Sequence, residues 1–129
     1  MADQIAILLP ARLWSVVDGA MDNAASNAAQ SGDEAAHGVA RSIRQAGWEQ
    51  VPWADNNDWP PMDQEIAIRL TLEQWAFALA QLRRDAPIYE EIIEQAHPNH
   101  RQEYVDSLAW GNRAADLIAA AIGEADPDV

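Results

Sequence analysis

Two Glu-x-x-His pairs, Glu34-Ala35-Ala36-His37 and Glu94-Gln95-Ala96-His97, have spacing that suggests chemistry most directly. On a helix, a carboxylate and an imidazole three positions apart share a face, and two such pairs supply most of the ligands of a carboxylate-bridged di-iron centre. The bridging glutamates must come from two further helices. The acids suitably placed on the first helix of each half are Asp18, Asp22 and Glu73, and they form no matching pairs. His97 precedes Pro98 and so stands at a helix end, where the helix dipole favours an imidazolium. His97 and His100 lack the third protein ligand that a zinc site requires. The absence of cysteine removes thiolate metal sites, cysteine nucleophiles and disulfides. There is also no G-x-S-x-G turn and no glycine-rich phosphate loop. The expectation is no catalytic residue, no bound metal and no cofactor.

A denser carboxylate string is Glu90-Glu91-Ile92-Ile93-Glu94, followed by Glu103-Tyr104-Val105-Asp106. It resembles the EExxE and ExxD segments of the all-α MazG-like nucleoside triphosphate pyrophosphohydrolases. The resemblance implies that Glu91 and Glu94 on one helix, with Glu103 and Asp106 on the next, share oxygen ligation of magnesium across a hairpin. It covers residues 90–106 only, and the eight residues between Glu94 and Glu103 are fewer than the family pattern has. That family is purely helical, whereas each half of this chain opens with a strand. Acids also favour a helix N-terminus, and Pro87 reads as the start of a helix whose first turn holds Glu90 and Glu91.

A different kind of site is suggested by the stretch 48–61, which holds three tryptophans, three prolines and three acids. Trp53 and Trp59 flank Asp55 and Asp58, a composition that suits an arginine-rich protein surface: aromatic faces for guanidinium groups beside carboxylates that pair with them. The competing use of these rings is to cover the edge of the core, as Trp14 and Trp75 are expected to do. Trp48 to Trp53 reads as a short edge strand, and Asp55 to Pro61 as a turn followed by extended chain.

Charge narrows the partner class. Eight arginines and no lysine stand against 21 acids, a formal charge of −13. Residues 1–64 hold three basic and nine acidic residues, and 65–129 hold five and twelve, so the acidity is spread over the molecule. Such a surface repels nucleic acid and anionic membranes, and its expected partner is a basic protein surface. The arginine-only, alanine-rich composition fits a GC-rich genome, as of a bacterium, a bacteriophage or a halophile. No apolar run approaches the roughly 20 residues of a membrane span, and no basic region precedes the apolar run Ile5 to Leu9. A cytoplasmic location without a signal peptide is expected.

The elements that must position these residues show an internal correspondence. Ile5-Ala6-Ile7-Leu8-Leu9 and Ile66-Ala67-Ile68-Arg69-Leu70 match at four of five positions with an offset of 61. Their alternation predicts strands with one buried face. At the same offset Pro10 corresponds to Thr71, Trp14 to Trp75, Val17 to Ala78 and Met21 to Leu82, the start and core stripe of a helix. Thr71 with Gln74 forms a capping-box pattern, and Pro10 suits a first helical turn. A second helix follows in each half, through Ala36, Val39, Ala40 and Ile43, and through Ala115, Ile118, Ala119 and Ile122. These end at Gly47 and Gly123, and Ser31 with Glu34 is read as the capping box of the first. The second half carries about 18 extra residues between its helices, including a helical stretch from Pro87 to His97.

The expected fold is a single α+β, mostly helical domain over 1–129, made of tandem duplicated strand-helix-helix units with a small antiparallel sheet covered by helices. Unit one spans 3–47, a Trp/Pro-rich connector 48–64, unit two 65–123 and a frayed tail 124–129. Because two isolated strands are barely stable, they are expected to pair under a helical layer or across a homodimer. The leading functional expectation is a non-enzymatic acidic binding or inhibitor protein, of the phage anti-defence or immunity kind. It would block a basic, nucleic-acid-handling site through charge, with Trp53, Asp55, Asp58 and Trp59 as contact residues. Two alternatives are the magnesium-dependent pyrophosphohydrolase and a nucleotide-sequestering homo-oligomer using Arg83, Arg84 or Arg101.

Overall fold

The computed structural model describes residues 3–125. Strand β1 (Gln4–Pro10) leads directly into helix α1 (Ala11–Ser31), which is followed by α2 (Glu34–Gln50). An irregular segment with a 3-10 turn at Asp55–Asn57 then leads to β2 (Glu65–Thr71), α3 (Leu72–Gln95) and α4 (Pro98–Ala125). The molecule is α+β and mostly helical, with one two-stranded antiparallel sheet.

The sheet forms because β1 and β2 both alternate. Ile7 and Leu9 of β1 and Ile66, Ile68 and Leu70 of β2 are buried, while Ala6, Leu8, Ala67 and Arg69 face outward. The strands pair within the chain, with Ile7 opposite Ile68 and Gln4 opposite Thr71. Ile7 and Ile68 are also 61 residues apart, so the sheet is centred on the offset seen in sequence. The correspondence continues to Trp14 and Trp75, whose buried rings meet edge to face at 6.2 Å. The first helices are of similar length, 21 residues in α1 and 24 in α3, and the halves differ mainly in the second, 17 residues in α2 against 28 in α4. The likeness is one of position and does not confirm a duplication.

Helix starts use different devices. At α3, the Thr71 hydroxyl accepts from Gln74 N at 3.1 Å and the Gln74 side chain accepts from Thr71 N at 2.9 Å, the reciprocal box expected from sequence. Helix α1 has no side-chain cap at Pro10; instead Ala11 N and Arg12 N donate to Gln64 O and Met62 O, at 2.8 and 3.0 Å. Chain from just before β2 thus satisfies donors that would otherwise be orphaned.

Several expected boundaries are corrected. Ser31 ends α1 rather than capping α2, because Gly32 adopts the left-handed conformation (φ 77°) that closes α1. Asp33 then caps α2 by accepting from Ala36 N. Gly47 does not end α2, which continues to Gln50, so the connector begins at Val51 and Trp48 is helical. Trp48 to Trp53 is not a strand. The edge of β2 is instead met by the side chain of Gln50, which donates to Arg69 O at 2.8 Å and accepts from Arg69 N at 2.6 Å. Pro87 lies inside α3 and does not start a helix. Its missing N–H leaves the Arg83 carbonyl without the usual helical donor, and both residues are exposed, so the break lies on a solvent-facing side of the helix. Helix α4 passes Gly123 and continues to Ala125, so the tail begins no earlier than 126; residues 126–129 lie outside the described residues.

The core lies between the sheet and the helices. Leu9, Trp14, Val17, Met21, Ile43, Ile68, Leu70, Trp75 and Ile118 carry its most fully buried side chains. Among the described residues, no helix is long and apolar enough to cross a membrane.

Candidate functional site

The segment after α2 forms a compact aromatic stack. Trp48, on the last turn of α2, packs on Trp53 with ring centroids 4.9 Å apart, and Trp53 packs on Trp59 at 4.7 Å. The Trp53 indole N–H donates to Trp48 O at 2.9 Å, which fixes the middle ring. Trp53 and Trp59 are half-buried and rest against the core. Trp48 is 53% exposed and forms the open end of the stack.

Between Trp53 and Trp59 the chain makes a tight turn. Ala54 N donates to Asp58 O at 2.8 Å and Asn57 N to Ala54 O at 3.1 Å. Asn56 and Asn57 take left-handed backbone angles, φ 64° and 62°, which asparagine tolerates better than most residues. This turn presents Asp55 and Asp58 to solvent. Trp53, Asp55, Asp58 and Trp59 are therefore brought together, but the two tryptophans serve mainly as a base. The exposed ring is Trp48, which sequence reasoning assigned to a strand. The available signal was the helical register: Gly47, immediately before it, packs inward against Trp14, which turns the next position away from the core.

The chain's arginines are partly committed internally. Arg44 on α2 reaches Asp18 and Asp22 on α1, each at 3.1 Å, and its guanidinium is held further in its charged form by the hydrogen bond to Asp18. Arg12 lies over the Trp110 ring, 4.6 Å from its centroid. Arg83, Arg84 and Arg101 are exposed, and Arg101 reaches Ala96 O at 3.4 Å.

The carboxylates of 90–106 do not converge. Glu90, Glu91, Glu94 and Glu103 are exposed, and Asp106 accepts from its own helix neighbour Gln102 at 2.8 Å. Among the described residues, no three His, Asp or Glu side chains form a group able to hold a metal ion. Glu34 with His37 and Glu94 with His97 likewise do not face each other in such a group. His97 has a local task that corrects the reading of it as a residue favoured by a helix C-terminus. Its Nδ1 accepts from Asn99 N at 3.1 Å and its carbonyl accepts from His100 N and Arg101 N, so it caps the start of α4.

One acid stands apart electrostatically. Burial pushes the Asp85 carboxyl above the ordinary aspartate range, and the Gln81 hydrogen bond and the Arg84 charge offset this only in part. Arg84 and Asp33 line the hollow on one side of Asp85, and Asp22 and Tyr89 the hollow on the other. A carboxyl that holds its proton more tightly when folded contributes most at low pH, and that contribution is lost as pH rises through its folded pKa. Asp85→Asn is therefore expected to raise the melting temperature at pH 7. The gain should shrink as pH falls through that value and be absent below the unfolded one. Melting curves from pH 3 to pH 8 check this; a gain independent of pH would assign it to something other than the charge.

No family model, curated protein or solved structure matches the chain. The class defined by the structure is a mostly helical α+β domain carrying an acid-bordered tryptophan stack.

Proposed function

We propose that this chain is a non-enzymatic acidic binding protein that covers a basic, nucleic-acid-handling surface of a partner protein, in the manner of an inhibitor or antidote. The observation that carries this reading is the stack ending in exposed Trp48, with Asp55 and Asp58 displayed on the turn beside its base. Arginine side chains stack on indole faces and pair with carboxylates, so such a surface recognises an arginine-rich patch by both routes. The net charge of −13 extends this attraction beyond contact range, which speeds encounter with a basic partner and opposes nucleic acid.

The test is capture of partners by the immobilised chain, followed by measurement of one purified partner. A basic protein is expected, its binding weakening as salt rises and competing with its nucleic acid. Trp48→Ala should weaken binding about 30-fold, the scale of an aromatic hot spot of about 2 kcal/mol, and leave the melting temperature nearly unchanged. Complexes with acidic partners, or binding indifferent to both salt and Trp48, would remove the proposal.

A further inference from the structure

A cavity of about 300 Å³ opens between α1, α3 and α4, away from the tryptophan stack. Two glycines hollow it: Gly19 on α1 and Gly111 on α4, at neither of which would a Cβ meet another atom within 4 Å. Its apolar wall includes Val16, Leu82 and Leu108, and Tyr89, Ser107 and Asn112 add neutral polar groups. Its charged lining is Asp22 and Asp85, with no arginine or histidine among the lining residues.

The two acids differ in what they have left to offer. Asp22 is already paired with Arg44 at 3.1 Å and is largely exposed. Asp85 is half-buried, and its Oδ1 accepts from Gln81 Nε2 at 2.9 Å. Gln81 is itself 8% exposed, so the amide that orients the carboxylate is fixed in the packed interior. The geometry points to this cavity as a binding site for a small organic monocation, an alkylammonium or alkylguanidinium whose head pairs with Asp85 and whose short stem lies along Val16, Leu82 and Leu108. The volume is at the lower end of the range for small-molecule sites, which matches a head and a few methylenes, and a lining whose charges are Asp22 and Asp85 opposes the phosphates of a nucleotide. Independently of the cavity's shape, burial disfavours the Asp85 charge where it stands, and a bound cation removes that penalty. A carboxylate held at such a cost in a recess is a common mark of a site.

The experiment is an amide-resolved NMR titration of the full chain with n-butylammonium, in enough salt to screen the acidic surface, with n-butanol as the neutral control. Saturable shifts are expected at Gly19, Asp85, Gly111 and Asn112, with at least tenfold weaker binding of butanol. Asp85→Asn should weaken n-butylammonium binding at least tenfold. Gly111→Leu, which fills the hollow, should abolish it without lowering the melting temperature. Shifts spread over Asp55, Asp58 and other surface acids, equal binding of butanol, or binding unchanged in both variants would each overturn the assignment. The site is independent of Trp48, so Trp48→Ala should leave this titration unaltered; a loss there would also count against it.

Discussion

Gly47→Ala is expected to destabilise the protein by about 2–3 kcal/mol, the cost of forcing extra volume into a packed core. A Cβ at this position would overlap the indole of Trp14, 2.7 Å from Cε2 and 2.8 Å from Nε1. Trp14 is 1% exposed and meets Trp75 edge to face, so it has no free space to retreat into. For a domain of this size the loss corresponds to a fall in melting temperature of about 10 °C. The comparison that isolates the cause is Gly38→Ala on the same helix. There a Cβ meets nothing within 4 Å, and the better helix propensity of alanine should raise stability by up to about 1 kcal/mol. One substitution type thus has opposite signs on one helix. If Gly47→Ala also stabilised, the close approach of α2 to Trp14 would be wrong. Trp14→Phe in the Gly47→Ala background should recover part of the loss, because the smaller ring vacates the space.

Trp75→Ala is expected to be costlier, about 3–5 kcal/mol, a large share of the about 5–15 kcal/mol that holds a typical domain together. Trp75 is fully buried, packs against Trp14 and donates from Nε1 to Ile5 O at 2.9 Å. It therefore fastens α3 to the backbone of β1, as well as filling space. Trp75→Phe keeps much of the volume and loses the hydrogen bond, and should cost clearly less than the alanine change. Urea denaturation of the three proteins checks the order. Equal losses for phenylalanine and alanine would mean that the hydrogen bond, and not the packing, dominates.

Legibility in the sequence followed how local each signal was. The strands were readable because Ile66, Ile68 and Leu70 alternate with Glu65, Ala67 and Arg69, a pattern with only one sensible orientation against a core. The start of α3 was readable because Thr71 and Gln74 act within one turn. By contrast, the cap of α1 comes from Met62 and Gln64, which no pattern near Pro10 reveals. Pro87 was misread because a rule about backbone donors cannot know that this helix face is exposed. Gly47 looked like a stop because glycine favours helix ends, yet here it is required by a ring from another helix. At the site, the acids of the turn and the clustering of tryptophans were visible in the composition of 48–61. Which ring stays open, Trp48, depended on how α2 is rotated against α1. The cavity beside Asp85 left no sequence mark, since it arises where glycines on two helices distant in sequence come to face one space.

The way α1 begins also makes the first half depend on the second. Its first two amides are satisfied only by residues 62 and 64, and β1 has its pairing partner only in 65–71. Without β2 and Trp75, α1 and α2 still have each other through Arg44, Asp18 and Asp22, but they have no sheet to lie on. Removing residues 62–71 would therefore strip the first half of its helix cap and its strand partner at one stroke.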